Sequence, residues 1–195
     1  MVRSGRRAGT ADTRAAILAA ARSAFGELGY DRTTIRGVAR AAEVDPALVH
    51  HYFGTKEGLF AAAMELPFDP STVVPMIVGP GPDGIGQRIV VAFLGAWDAP
   101  ASRATLVAML RGAASHEQSA AMLREFLTRA VIGRVAAALQ VDRAELRVSL
   151  VASQMVGLAM TRYILRIDPL ASAAPELVVA ALAPTVQRYL TGPLD

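Results

Sequence analysis

The stretch 44–60, VDPALVHHYFGTKEGLF, holds two of the chain's three histidines, one of its four tyrosines and its only lysine. Imidazole N–H, phenol O–H and ammonium groups are all donors, and phosphate oxygens are the acceptors that suit such a gathering. Metal chelation fits less well. His50 and His51 are adjacent, so on a helix they point apart, His116 is distant in sequence, and the chain has no cysteine. No metal and no cofactor is expected. Ser115-His116-Glu117 has the residue types of a nucleophilic triad, but sequence neighbours seldom reach that geometry and no nucleophile elbow is present. It reads as an inter-helix turn. The glycines of 79–84, GPGPDG, follow no strand and precede no lysine, unlike a phosphate-binding loop. No enzyme is expected.

The donors need elements to carry them. A first helix is expected over Asp12–Leu28, with Asp12 as N-cap and Gly29 ending it. Thr34 can cap a short second helix, and Asp45 a third, with Pro46 at its first position, where a missing N–H costs nothing. Thr55 can cap a fourth, from Lys56 to about Leu66. The second and third helices, joined by a three-residue turn, with small Ala39 in the first, Val44 after the turn and Val49 in the second, have the spacing of a helix-turn-helix. Such a unit puts its second helix in the major groove of DNA, while flanking charge and helix N-termini meet phosphates. Leu48 and Val49 are expected to pack inward, leaving Asp45, Ala47, His50, His51 and Tyr52 as the outward set. Lys56, in a chain that otherwise uses arginine, can add its charge to the helix dipole at one phosphate.

Charge and composition agree with that reading without identifying it. The 195 residues are 53% hydrophobic and carry a net charge of +3. Residues 1–40 hold eight arginines against Asp12, Glu27 and Asp31, so the excess is concentrated there. Arg3, Arg6 and Arg7 form a basic tail, either solvated or touching DNA nonspecifically. No secretion signal is read at the start. The apolar run between Arg147 and Arg162 has fourteen residues, short of the roughly 20 that a membrane span needs. A cytoplasmic protein is expected, held on the bacterial nucleoid when bound to DNA.

Residues 67–86 contain five prolines and four glycines, which marks an irregular linker. The expected division is a DNA-binding domain over 1–54, with a tail over 1–11, and a regulatory and dimerisation domain over 55–195. Within the latter, helix four, 55–66, makes the connection. Further helical patterns fall at about 85–97, 102–114, 117–139, 143–167 and 174–190, with no alternating strand pattern. The fold class is all-α: an N-terminal three-helix helix-turn-helix domain and a C-terminal helical domain. The last two helices are apolar on more than one side. Ser149, Ser153 and Gly157 make a strip of small residues, and Leu182, Val186 and Tyr189 belong to a second stripe, on a helix that Pro184 should kink. A homodimer through a four-helix interface would bury both.

The segment TTIRGVARAAEVDPALVHHYFGTKEGLF resembles the TetR family of bacterial transcriptional repressors, with a Thr-initiated helix two, an aromatic-rich helix three ending in Phe53 and a Lys-containing start to helix four. The resemblance is strongest over Thr13–Leu66; beyond it, GLAMTRYILRIDPLAS is similar to the C-terminal segment of some such regulators. It implies that the start of helix two, helix three and Lys56 meet DNA, and the candidate contact set is Thr33, Thr34, Arg36, Asp45, Ala47, His50, His51, Tyr52 and Lys56. His50 and His51 stand where the family places aromatics, and Glu43 where it usually has Gly, so Glu43 either avoids a positive φ or accepts strain. The resemblance further implies an inducer pocket in each C-terminal domain. Its candidate lining is Phe93, Trp97, Met109, Phe126 and Met155, with Arg111 and His116 as polar anchors. The expected partners are double-stranded operator DNA, a second copy of the chain and a small hydrophobic or amphipathic inducer, with no membrane. Two other readings are a constitutive DNA-binding protein without inducer and a helical small-molecule carrier or enzyme.

Overall fold

The computed structural model of the chain describes residues 10–194, which leaves the basic tail Arg3, Arg6 and Arg7 outside the described residues. The described residues form helices and turns with no strand. α1 runs over Thr10–Arg32, starting before the expected Asp12 cap, so that Asp12 instead lies in the first turn, where its charge suits the helix dipole. Helical geometry breaks at Gly29, whose φ of 79° is open to glycine alone at low cost. α2 (Ile35–Ala41), α3 (Pro46–Phe53) and α4 (Lys56–Ala63) follow, each begun by the cap its sequence offers: the side chains of Thr34, Asp45 and Thr55 accept the backbone N–H of Gly37, Ala47 and Gly58.

The Pro/Gly-rich stretch is not irregular throughout. Asp69 caps α5 (Pro70–Val78), its Oδ1 accepting the Ser71 N–H at 2.8 Å, with Pro70 in the first turn where no N–H is needed. The C-terminal half continues with α6 (Ile85–Asp98), α7 (Pro100–Ser115), α8 (Glu117–Phe126), a π-helical segment over Leu127–Ile132, and α9 (Gly133–Leu139). α10 (Ala144–Leu158) passes into a second π-helical segment, Ala159–Ile164, and α11 (Pro175–Thr191) runs on past Pro184.

Two hydrophobic clusters organise these helices. One joins α5 to α7 with α9 to α11 around Trp97, Leu106, Met155, Tyr163 and Val186. The other is built on Ile17, Ala21, Phe25, Val38, Val49 and Phe53, and reaches past residue 54 to take in Leu59, Phe60, Ala63, Phe126 and Ala130. The N-terminal core is therefore not closed by residues 1–54: α1 with the two short helices α2 and α3 buries too little apolar surface, and α4, α8 and the π-helical segment after α8 supply the rest.

α6 and α11 cross closely at Gly86. A Cβ on Gly86 would collide with the Ala183 carbonyl oxygen and lie 2.6 Å from the Gln187 nitrogen. The Gly86 N–H donates to Gln187 Oε1 at 3.0 Å, and Gln187 Nε2 to the Pro82 carbonyl at 2.9 Å. Since the obstructing atoms are backbone, Gly86→Ala should force the helices apart and cost about 1–3 kcal/mol, read as a lower urea midpoint at unchanged slope. An unchanged midpoint would mean that this crossing yields freely.

Candidate nucleic-acid interface and its coupling to the C-terminal half

α3 is short because Asp45 and Pro46 start it and Gly54, at φ 67°, ends it with an N–H donated to the His50 carbonyl at 2.8 Å. The preceding turn is closed by Val44 N–H donating to the Ala39 carbonyl at 3.0 Å. Glu43 takes the strained alternative, a φ of 54°, at a cost of about 1 kcal/mol relative to a residue without that penalty. Val38, Ala39 and Val49 are buried between α2 and α3. This packing turns the opposite side of α3 outward, where Asp45, Ala47, His50 and His51 are exposed and Tyr52 is half-buried. Leu48 differs from expectation: it is 37% exposed, because Val49 alone fills the space against α2. No periodicity argument separates two adjacent apolar residues on a helix of eight. An exposed leucine there adds an apolar group of the kind that meets a thymine methyl.

The chemistry of the outward residues is specific. His50 Nδ1 lies 2.9 Å from the Gly54 carbonyl oxygen; a carbonyl only accepts, so Nδ1 carries the proton and Nε2 of the neutral ring is an acceptor. Asp45 has one carboxylate oxygen committed to the cap, 2.7 Å from the Ala47 nitrogen. The Thr34 hydroxyl accepts the Gly37 N–H at 3.0 Å and keeps its own O–H to donate. Arg36 and Arg40, one turn apart on α2, are exposed and make no ion pair among the described residues.

Thr33 is corrected. It is 1% exposed, and its hydroxyl points at the carbonyls of Ala24, at 3.0 Å, and Gly29, at 2.7 Å. Thr33 thus ties the start of α2 to α1, and only its neighbour Thr34 reaches solvent. Lys56 stands at the first position of α4 but is half-buried: its Nζ donates to the Asp31 carbonyl at 3.1 Å and sits 4.4 Å from the centre of the Tyr30 ring. Partial burial lowers its pKa, against the opposing charges of Asp31, Glu57 and Glu125. Two of its three N–H donors remain for an anion.

The C-terminal half grips this unit through α8 and the residues after it. Phe126 is fully buried, its ring centre 4.3 Å from that of Phe60 and 5.5 Å from that of Tyr30. Around it, Glu125 Oε2 accepts the Asp31 N–H at 3.0 Å, Arg129 pairs with Asp31 at 3.5 Å, and Arg134 pairs with Glu57 at 3.1 Å. Partial burial opposes the Glu57 charge, but its own backbone N–H and the Arg134 guanidinium outweigh it and hold its pKa below the ordinary value. The stretch Tyr30–Asp31 and the start of α4, which carry Lys56, are thus held by α8, the π-helical segment and α9.

Phe126 therefore leaves the proposed ligand lining, since α8 packs its aromatic face on α1 and α4. Trp97 and Met155 are buried in the C-terminal cluster, and Phe93 and Met109 pack against it. Two open depressions in this half are lined by other side chains: one of about 640 Å³ between α7 and the second π-helical segment, and one of about 960 Å³ between α6 and α11. Arg111 lines the first, whereas His116 lines neither.

Of the residues expected at a dimer interface, Ser149, Ser153 and Gly157 are exposed on α10, as are Leu146 and Val156 of the same helix and Met160 just past its end, which are 52%, 47% and 37% exposed. Val186 is corrected: it is 0% exposed within one protomer, because the α11 face bearing Val178, Val186 and Leu190 is buried in the C-terminal cluster. Leu182 and Tyr189 are half-buried against the same cluster, and the exposed side of α11 carries Leu177, Ala181 and Pro184 instead.

Comparison with known proteins follows this division. The family model described as "Tetracyclin repressor-like, C-terminal domain" matches residues 83–190, more than half of the chain, and that described as "Bacterial regulatory proteins, tetR family" matches residues 17–63. The chain is similar to the HTH-type transcriptional regulator BetI of Rhizobium meliloti (strain 1021), with 45% identity over 51 residues, which are 26% of this chain and 25% of that protein. It is also similar to the crystal structure of a TetR-family regulator from Streptomyces coelicolor A3, at 40% identity and a TM-score of 0.46, covering 96% of this chain and 99% of that one.

Proposed function

The chain belongs to the TetR family of bacterial regulatory proteins, and from that premise we propose that it represses transcription as a homodimer on a pseudo-palindromic operator and leaves the DNA when a small hydrophobic or amphipathic ligand binds. The observation that carries the DNA reading is the outward side of α3, where Ala47, Leu48, His50 and His51 are exposed beside Arg36 and Arg40 of α2, which have no ion-pair partner among the described residues. Arginines without acid partners are free to neutralise phosphates, and the α3 residues are then the base readers. A two-fold dimer reads half-sites in successive major grooves, roughly 34–36 Å apart. The test is binding to the intergenic DNA beside the protein's own gene, and selection from random duplexes, at two salt concentrations. A selected palindrome bound more weakly at high salt supports the reading; no selected sequence and no salt dependence would refute it.

Lys56 is proposed as a phosphate contact. Lys56→Ala should weaken binding to all sequences alike and lower the salt slope by about 1. A loss confined to one operator base would contradict that role.

The dimer reading rests on the apolar and small residues exposed on α10 and α11. A Cβ at Gly157 would meet nothing within 4 Å inside the protomer, so Gly157→Leu should leave the protomer folded while parting the helices of a pair. Sedimentation should then give monomers; a persistent dimer would move the interface to another surface.

Ligand response would act through the Phe126 joint, which ties the C-terminal half to Tyr30, Asp31 and α4. A ligand that prefers the DNA-incompetent arrangement about 100-fold can weaken operator binding by at most about 2.7 kcal/mol per site.

A further inference from the structure

The depression of about 640 Å³ between α7 and the second π-helical segment gathers three arginines over an apolar floor. Arg103 and Arg111 come from α7, and Arg166 from the turn after the second π-helical segment; Val107, Tyr163 and Ile164 lie beneath them. Arg103 is held in place: its Nε donates to the Trp97 carbonyl at 2.7 Å, one terminal nitrogen to the Asp98 carbonyl at 3.0 Å, and its guanidinium lies 5.3 Å from the Tyr163 ring centre. Arg111 and Arg166 are exposed and have no hydrogen-bond or ion-pair partner among the described residues. Arg166 is presented from a left-handed backbone, φ 54°.

Like charges gathered without a counter-ion repel one another, and an arginine presents a planar fork matched to a carboxylate. The nearby acid does not neutralise them. Asp98 accepts the Tyr163 hydroxyl at 2.8 Å and lines the separate depression between α6 and α11. Tyr163 supplies no negative charge, since burial and the Asp98 carboxylate push its pKa up to about 12. No carboxylate side chain lines this depression, and its floor offers contact for an apolar body.

We propose that this depression binds an amphipathic organic anion, a carboxylic acid with an aliphatic or aromatic body, its carboxylate between Arg111 and Arg166 and its body over Val107, Tyr163 and Ile164. The volume falls in the range that holds small organic ligands. This names a ligand class for the regulator and depends on the proposed function only for its effect on DNA. The site itself stands on the arginine cluster.

Occupancy can be read without DNA, because Trp97 is the only tryptophan and its ring is stacked 5.2 Å from Tyr163. Trp97 emission would be titrated with the straight-chain carboxylates from butanoate to dodecanoate, with phenylacetate, and with octanol as the neutral counterpart of octanoate. Saturable binding of at least one carboxylate is expected, with octanol about tenfold weaker than octanoate or worse. Arg111→Gln and Arg166→Asn, the latter keeping a residue tolerant of the left-handed backbone, should each weaken carboxylate binding about tenfold. Equal affinity for octanol and octanoate, unchanged binding in both variants, or no binding by any carboxylate would each overturn the proposal; the octanol comparison needs no variant to fold. A shift in dimerisation in the variants, without carboxylate binding, would also overturn it and assign the cluster to a protein contact. Operator binding by the ligand-free protein, measured separately, shows whether the regulatory reading fails on its own.

Discussion

Phe126→Ala should destabilise the protein by about 4 kcal/mol and separate the unfolding of its two halves. The ring is fully buried, stacked on Phe60 and edge-on to Tyr30, so its removal deletes contacts in the N-terminal cluster and leaves a cavity that α1 and α4 cannot fill without moving. The flanking polar contacts, Glu125 to the Asp31 N–H and Arg134 to Glu57, are exposed or half-exposed and contribute far less. Trp97 reports the C-terminal cluster alone, and far-UV circular dichroism reports all helices. In the native chain the two urea transitions should coincide. In the variant the dichroism transition should begin at lower urea, as the N-terminal cluster opens first, and operator affinity should fall with it. Coincident transitions with less than about 1 kcal/mol lost would mean that the ring is a passive filler and that coupling runs elsewhere.

Arg147→Met should cost about 3 kcal/mol, although it exchanges a charged side chain for an apolar one of similar length. Arg147 is 4% exposed and each of its three side-chain nitrogens donates: Nε to the Asp142 carbonyl at 2.8 Å, Nη2 to Asp142 Oδ1 at 2.7 Å, and Nη1 to the carbonyls of Tyr189 and Gly192 at 3.0 and 2.7 Å. Tyr189 and Gly192 end α11, where carbonyls lack partners in the helix itself. The methionine would leave these acceptors without their donor beside the packing of α10 on α11. Asp142 is 65% exposed, so Asp142→Ala should cost less than about 1 kcal/mol. Chemical denaturation of both variants checks the contrast. Equal losses would place the effect in the ion pair and not in the clasp on α11.

The helix-turn-helix could be read along the chain because its determinants are local. Thr34, Asp45 with Pro46, and Thr55 each begin a helix where a side-chain oxygen takes a free N–H. Asp69-Pro70 carries the same signature and starts α5 inside a stretch whose prolines and glycines otherwise mark irregular chain. Leu48 and Thr33 depart from the sequence expectation for a different reason. Each is adjacent to a residue of the same kind, Val49 or Thr34, and only the packing of α2 and α1 decides which of the pair is buried.

Phe126 and Val186 show the limit more sharply. Both are large apolar residues on apolar helical stripes, and periodicity says that such a stripe is covered without saying by what. Phe126 is covered by Tyr30 and Phe60, some 60 or more residues earlier in the chain, and Val186 by the C-terminal cluster of its own protomer. Thus the sequence by itself determined the all-α class, the capped recognition unit and the family, since caps, helical periods and a contiguous motif act over a few residues. Tertiary structure alone decided where the N-terminal core ends, which face of α11 stays exposed, and that Arg103, Arg111 and Arg166 meet in one place, because burial and charge clustering depend on contacts between residues far apart in the chain.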